Sequence, residues 1–140
     1  EGKLRDRLEA EIRALSRVGR VHLVGWRTRA VIYAKAFDIW TMPSVSEGFG
    51  LALLEGMSAS LPIVASRIPA MRGMISGAGG VAVEPGNVEQ LASGLARYLS
   101  LSPSERFKVG ESVFKYLVEN HRIEDYRKAY LNLVESRLGL

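Results

Sequence analysis

FDIWTMPSVSEGFGLALLEGMSASLPIVAS, residues 37–66, holds two short β-rich runs separated by a glycine-punctuated turn and a leucine-rich stretch. FDIWTMP (37–43) and PIVAS (62–66) have the length and composition of strands, and LALLEGMSAS (51–60) that of a helix. A strand, loop, helix and strand in that order form a crossover unit, the connection that parallel strands require.

The same alternation extends in both directions. Toward the C-terminus, 69–76 suits a short helix and GVAVEP (80–85) a further strand. Asn87 with Gln90 makes a capping box for a helix over 88–99. Ser102-Pro103-Ser104-Glu105 makes a second, with proline at the first helical position. Ile123, Tyr126, Tyr130, Leu133 and Val134 give an apolar stripe for a last helix over 123–138. Toward the N-terminus, VHLVG (21–25) reads as a strand, 29–36 as a helix, and Leu4, Leu8, Ile12 and Leu15 as one face of a helix over 3–16. The expected fold class is α/β: an open, doubly wound, Rossmann-like parallel sheet followed by C-terminal helices.

The 140 residues suffice for one domain with a core, and 47% hydrophobic with 24% charged residues is an ordinary globular composition. The absence of cysteine excludes a disulfide framework and thiolate metal sites, and fits a reducing, cytoplasmic setting. A net charge of +4 suits an anionic ligand or peripheral contact with a membrane surface. The Lys and Arg residues are dispersed, so no nucleic-acid partner is expected, and no apolar run is long enough to span a bilayer. The chain starts at Glu1 and enters a helical pattern at once, which leads us to expect a piece of a longer protein.

Ligands of open α/β sheets bind beyond the carboxyl ends of the strands, where the loop 43–50 is expected. Two carboxylates stand there among apolar and glycine residues, Glu47 and Glu55. Ser44-Val45-Ser46-Glu47 matches a capping box, which would make Glu47 structural; Gly48 and Gly50 would then weaken the first turns of the helix. Glu55 is the one charge in its helix and needs either a core salt bridge or a polar ligand if that helix is buried. Free N–H groups of Phe49, Gly50 and Leu51 at a helix N-terminus suit a phosphate, and carboxylates suit sugar hydroxyls. A site for a phosphate and sugars follows, with a sugar nucleotide as the ligand that has all these parts.

With PSVSEGFGLALLEGMSASLPIVAS (43–66) in view, the chain resembles the C-terminal, donor-binding domain of family 4 retaining GT-B glycosyltransferases. The family's pattern is Pro-Ser-x-x-Glu-Gly-Phe-Gly-Leu, a second Glu eight residues after the first, then Pro-hydrophobic-Val-Ala-Ser. The similarity extends through VHLVG, YAKAFDIWTMPS, VEPGNVEQLASGL and DYRKAYLNL to essentially all 140 residues. The resemblance implies a retaining hexosyltransferase acting with a nucleotide-diphospho-sugar, such as UDP-glucose or GDP-mannose, and a glycan or lipid acceptor. It implies that Glu47 is the catalytic carboxylate beside the donor sugar and that Gly48, Phe49, Gly50 and Leu51 line sugar and diphosphate. Glu55 would hold the ribose, and Trp26 and Arg27 would lie by the base. No metal ion and no cofactor beyond the substrate are implied.

The chain also departs from the pattern. The first strand–helix–strand unit with its basic residues and the N-terminal acceptor-binding domain are absent, so residues 1–140 are expected to form a partial domain inactive in transfer by itself. Ser60 stands where a glycine is common, and Gly73 where a glutamate is usual. Two alternatives therefore stay open: a non-catalytic binding or scaffolding domain of GT-B descent, and a nucleotide-sugar epimerase of the same fold. His22 and His121 read as surface or satisfied histidines. Tyr126 and Tyr130 read as core contacts, or as part of a face toward another domain. Arg67 and Arg72 read as phosphate ligands or as solvated surface.

Overall fold

The computed structural model describes residues 2–16 and 18–139 and divides into two compact units, 1–32 and 33–140. In the first, α1 (Arg5–Ala14) carries i,i+4 ion pairs, Arg5–Glu9 at 2.8 Å and Arg7–Glu11 at 3.0 Å, and buries none of its residues. The expected strand over 21–25 is not formed. Its composition favours extended backbone, but a strand needs a ladder, and no strand exists among the described residues of this unit to pair with it. Val21 and Val24 stay exposed accordingly. The helix expected over 29–36 shrinks to α2 (Val31–Ala34).

In the second unit the elements run β1 (Trp40–Met42), α3 (Leu51–Ser58), β2 (Ile63–Ser66), α4 (Pro69–Gly77) and β3 (Val81–Val83). They are followed by α5 (Val88–Leu99), α6 (Pro103–Asn120) and α7 (Ile123–Leu138). The three strands form a parallel sheet in the order β1-β2-β3, with Trp40 opposite Ile63 and Val64 opposite Val81.

Side chains alternate across a strand, and the two faces of β2 enter different cores. Ile63 and Ala65 join Leu53 and Met57 of α3, Met71, Met74 and Ile75 of α4, and Val113 of α6. Val64 joins Val83 and Tyr98, with Leu91 and Leu95 of α5 packed against them. Helices thus cover both sides, as expected for a doubly wound sheet. All four residues of β2 are buried, which explains why all but Ser66 are apolar.

The starts of α5 and α6 follow the sequence signals. Asn87 Oδ1 accepts the N–H of Gln90 at 2.9 Å and caps α5. Ser102 and Glu105 form the full reciprocal capping box of α6, and these hydrogen bonds hold the Glu105 carboxyl below its ordinary range. At Gly56 the backbone of α3 lies directly against the Trp40 ring, leaving no room for a Cβ. None of the helices in the described residues is long and apolar enough to cross a membrane.

Gly73 lies on the exposed side of α4, with open space where a side chain would be. A glutamate would fit, so its absence reflects no packing constraint. Gly73→Ala is expected to stabilise the helix by about 0.5–1 kcal/mol. Thermal denaturation should show a midpoint raised by about 2–4 °C.

Candidate functional site

The loop 43–50 leaves the carboxyl end of β1 and turns into α3. Gly50 makes that turn: it is the N-cap of α3, buried, in the left-handed region at φ 89° and ψ 41°. A Cβ there would sit 3.0 Å from Met71 Cγ, so α4 closes directly over the turn. Glycine is required twice, by dihedral and by space.

Because α3 starts at Leu51, Glu47 is not at its N3 position and the Ser44–Glu47 capping box is not formed. Ser44 Oγ instead donates to Glu47 Oε1 at 2.9 Å, leaving the other carboxylate oxygen without a partner among the described residues. Glu47, Gly48 and Phe49 are all exposed. The Gly50 carbonyl accepts the N–H groups of Leu53 at 2.9 Å and Leu54 at 3.4 Å. The N–H groups of Phe49, Gly50, Leu51 and Ala52 meet no acceptor among the described residues. The unpaired donors are therefore the three expected plus Ala52. They stand at the positive end of the helix dipole.

Glu55 differs from its expected setting. The buried stripe of α3 is Leu53, Gly56 and Met57, whereas Leu51 and Glu55, one turn apart, lie on the exposed side. Glu55 thus has no burial to compensate. Its carboxylate forms no ion pair or hydrogen bond among the described residues, which removes the core-salt-bridge reading. The sequence misleads here because the other residues of 51–60 are apolar or small: Leu51, 67% exposed, reads as core but faces solvent.

Around this surface, Arg67 follows β2 and pairs with Glu84, while Arg72 on α4 is exposed and forms no ion pair among the described residues. Trp26 and Arg27 belong to the first unit; Trp26 is 85% exposed and the Arg27 guanidinium donates to the Trp26 carbonyl at 3.2 Å. Tyr126 and Tyr130 are exposed, not core, since α7 buries none of its residues. Tyr126 instead meets the Phe49 ring edge-on, centroids 6.4 Å apart, a contact between residues too distant in sequence for any spacing rule to signal. Among the described residues no group of three or more His, Asp or Glu is disposed to hold a metal ion.

A surface with two exposed carboxylates flanking unpaired helix-terminal amides, at the carboxyl edge of a parallel sheet, invites comparison with known proteins. The family model described as glycosyl transferases group 1 matches residues 1–100. The chain belongs to that family. It is 28% identical over 135 residues to the lipopolysaccharide core biosynthesis mannosyltransferase LpcC of Rhizobium leguminosarum, covering 96% of this chain and 38% of that protein.

Among solved structures, the C-terminal domain of a glycosyl transferase group 1 family protein, LpcC of Francisella tularensis, matches with a TM-score of 0.73. That match has 22% identity and covers 86% of this chain and 63% of the other. A TarM variant from S. aureus, crystallised with Fondaparinux, alpha-GlcNAc-glycerol and UDP, matches with a TM-score of 0.86 at 23% identity, covering 95% of this chain and 27% of the other. The chain shares with these structures the open parallel sheet with helices that forms the Rossmann-like half of a GT-B glycosyltransferase. The chain spans 14% and 38% of the length of the first two curated relatives it matches.

The two glycines of the turn should differ in their tolerance of a methyl group. Gly50→Ala is expected to destabilise by about 2 kcal/mol, from left-handed backbone and contact with Met71. Gly48→Ala, with nothing within 4 Å of the new Cβ, should cost less than about 1 kcal/mol. Urea denaturation of the two variants measures the difference.

Proposed function

We propose that this chain supplies the donor-binding part of a retaining glycosyltransferase that moves a hexose from a nucleotide-diphospho-sugar to a glycan or lipid acceptor. The observation that carries the reading is the pairing of unsatisfied amides at Gly50, Leu51 and Ala52 with the exposed, uncommitted carboxylates of Glu47 and Glu55.

Each group has a role its chemistry suits. The amides and the α3 dipole take the diphosphate, and they take it best when the glycosidic bond breaks and charge builds on the leaving phosphate. Glu47, oriented through one oxygen by Ser44, offers the other to hydroxyls of the transferred sugar. Its negative charge opposes the positive charge that develops at the anomeric carbon. Glu55 accepts hydrogen bonds from the ribose hydroxyls. The diphosphate is neutralised by dipoles and side-chain cations, with no metal ion in the scheme. UDP in the TarM complex and the mannosyl specificity named for LpcC support UDP- or GDP-sugars as the donor class. Acceptor binding is assigned to residues beyond this chain.

Calorimetric titration of the complete protein with UDP- and GDP-sugars is the test. One donor class should bind, and Glu55→Ala should weaken it about tenfold or more, as expected for hydrogen bonds to a charged group. Glu47→Ala should still bind the nucleoside diphosphate of that donor class but lose at least about a hundredfold in transfer rate. Full transfer by Glu47→Ala would assign catalysis elsewhere. Binding of no nucleotide sugar would leave a scaffolding domain, and a changed sugar formed without acceptor would indicate an epimerase.

A further inference from the structure

The loop that carries Glu47 and Phe49 is held by little of its own. Among the described residues, no backbone hydrogen bond involves residues 43–49, and the Ser44–Glu47 bond is internal to the loop. Gly50 is seated under Met71 and Met74, but Phe49 stands beyond that seat and is 44% exposed. Its one ring partner among the described residues is Tyr126, in the first turn of α7.

Tyr126 is itself anchored. Its hydroxyl is hydrogen-bonded to His121 Nδ1 at 3.3 Å, and the two rings lie within 25° of parallel. His121 ends α6 and meets the Tyr116 ring at 63°, centroids 5.7 Å apart. Tyr116 packs on the core formed by α3, α4 and β2. An unbroken line of ring contacts thus runs from the core through Tyr116, His121 and Tyr126 to Phe49. Tyr126 does little for the core itself: it is 47% exposed, on a helix with no buried residue.

We infer that Tyr126 is a positioning residue for the donor site, holding Phe49 and so aligning the amides of Phe49, Gly50 and Leu51. The inference rests on the donor-site reading above. It gives the first turn of α7 a function that burial does not explain. An edge-on aromatic pair contributes enough to set the conformation of a loop that lacks backbone hydrogen bonds.

Two readouts on the complete protein test it: nucleotide-sugar affinity by calorimetry, and amide hydrogen exchange over 44–54 without ligand. Tyr126→Ala should weaken donor binding up to about tenfold and speed exchange at Phe49, Gly50 and Leu51, with the thermal midpoint little changed. Tyr126→Phe, which keeps the ring edge, should stay within about twofold of the parent. In Phe49→Ala, adding Tyr126→Ala should cost no further affinity. If Tyr126→Ala fails to fold, Tyr126→Leu replaces it. Parental affinity and exchange in the ring-deleted variant would overturn the inference. If the parent protein binds no nucleotide sugar, the donor-site reading fails by itself; exchange then decides whether Tyr126 seats the loop.

Discussion

Strand β2 is the constraint on which the second unit depends. It has a ladder partner on each edge and a separate hydrophobic core on each face, so it has no surface left for water. A charge or a register slip within Ile63–Ser66 would disturb both cores at once. Its placement also fixes where chemistry can occur. With both faces covered by helices, exposed backbone is left at the strand ends, and the carboxyl end is where β1 delivers the loop 43–50.

At that edge the fold makes an economical exchange. Gly50 gives up regular backbone so that α3 can start abruptly, and the helix is left without a side-chain cap. Two other helices satisfy their first turns with side chains, Asn87 in α5 and Ser102 with Glu105 in α6, whereas α1, α4 and α7 also start without a side-chain cap. Where two helices spend side chains on their own amides, α3 keeps its amides open while placing a carboxylate on each side of them. What distinguishes α3 is its left-handed N-cap glycine beside two exposed carboxylates, not the missing cap alone.

Much of this was legible in the residues. The βαβ pattern of 37–66, the capped helices and the parallel sheet follow from local periodicity and turn chemistry, which act over a few residues. What the sequence misstated depends on partners. VHLVG has strand composition but no ladder within its unit. Leu51 and Glu55 read as part of a buried helix because their neighbours are apolar, yet which side of α3 faces the sheet is decided by Gly56 against Trp40. Ser44 and Glu47 matched a capping box, but the left-handed turn at Gly50 moved the helix start past them. The Tyr126–Phe49 contact had no local signal at all, being made by tertiary folding alone.

The order of strands has a consequence for how the site comes into being. Each strand pairs with the next one in the chain, so the sheet closes through short crossovers and pays little loop entropy at each step. The loop that bears Glu47 lies within the first of these crossovers and is therefore shaped as soon as β1 and β2 join. Its last aromatic neighbour arrives only with the final helix. A nascent chain would thus hold the outline of the site early and acquire its fixed form only once α7 has been made.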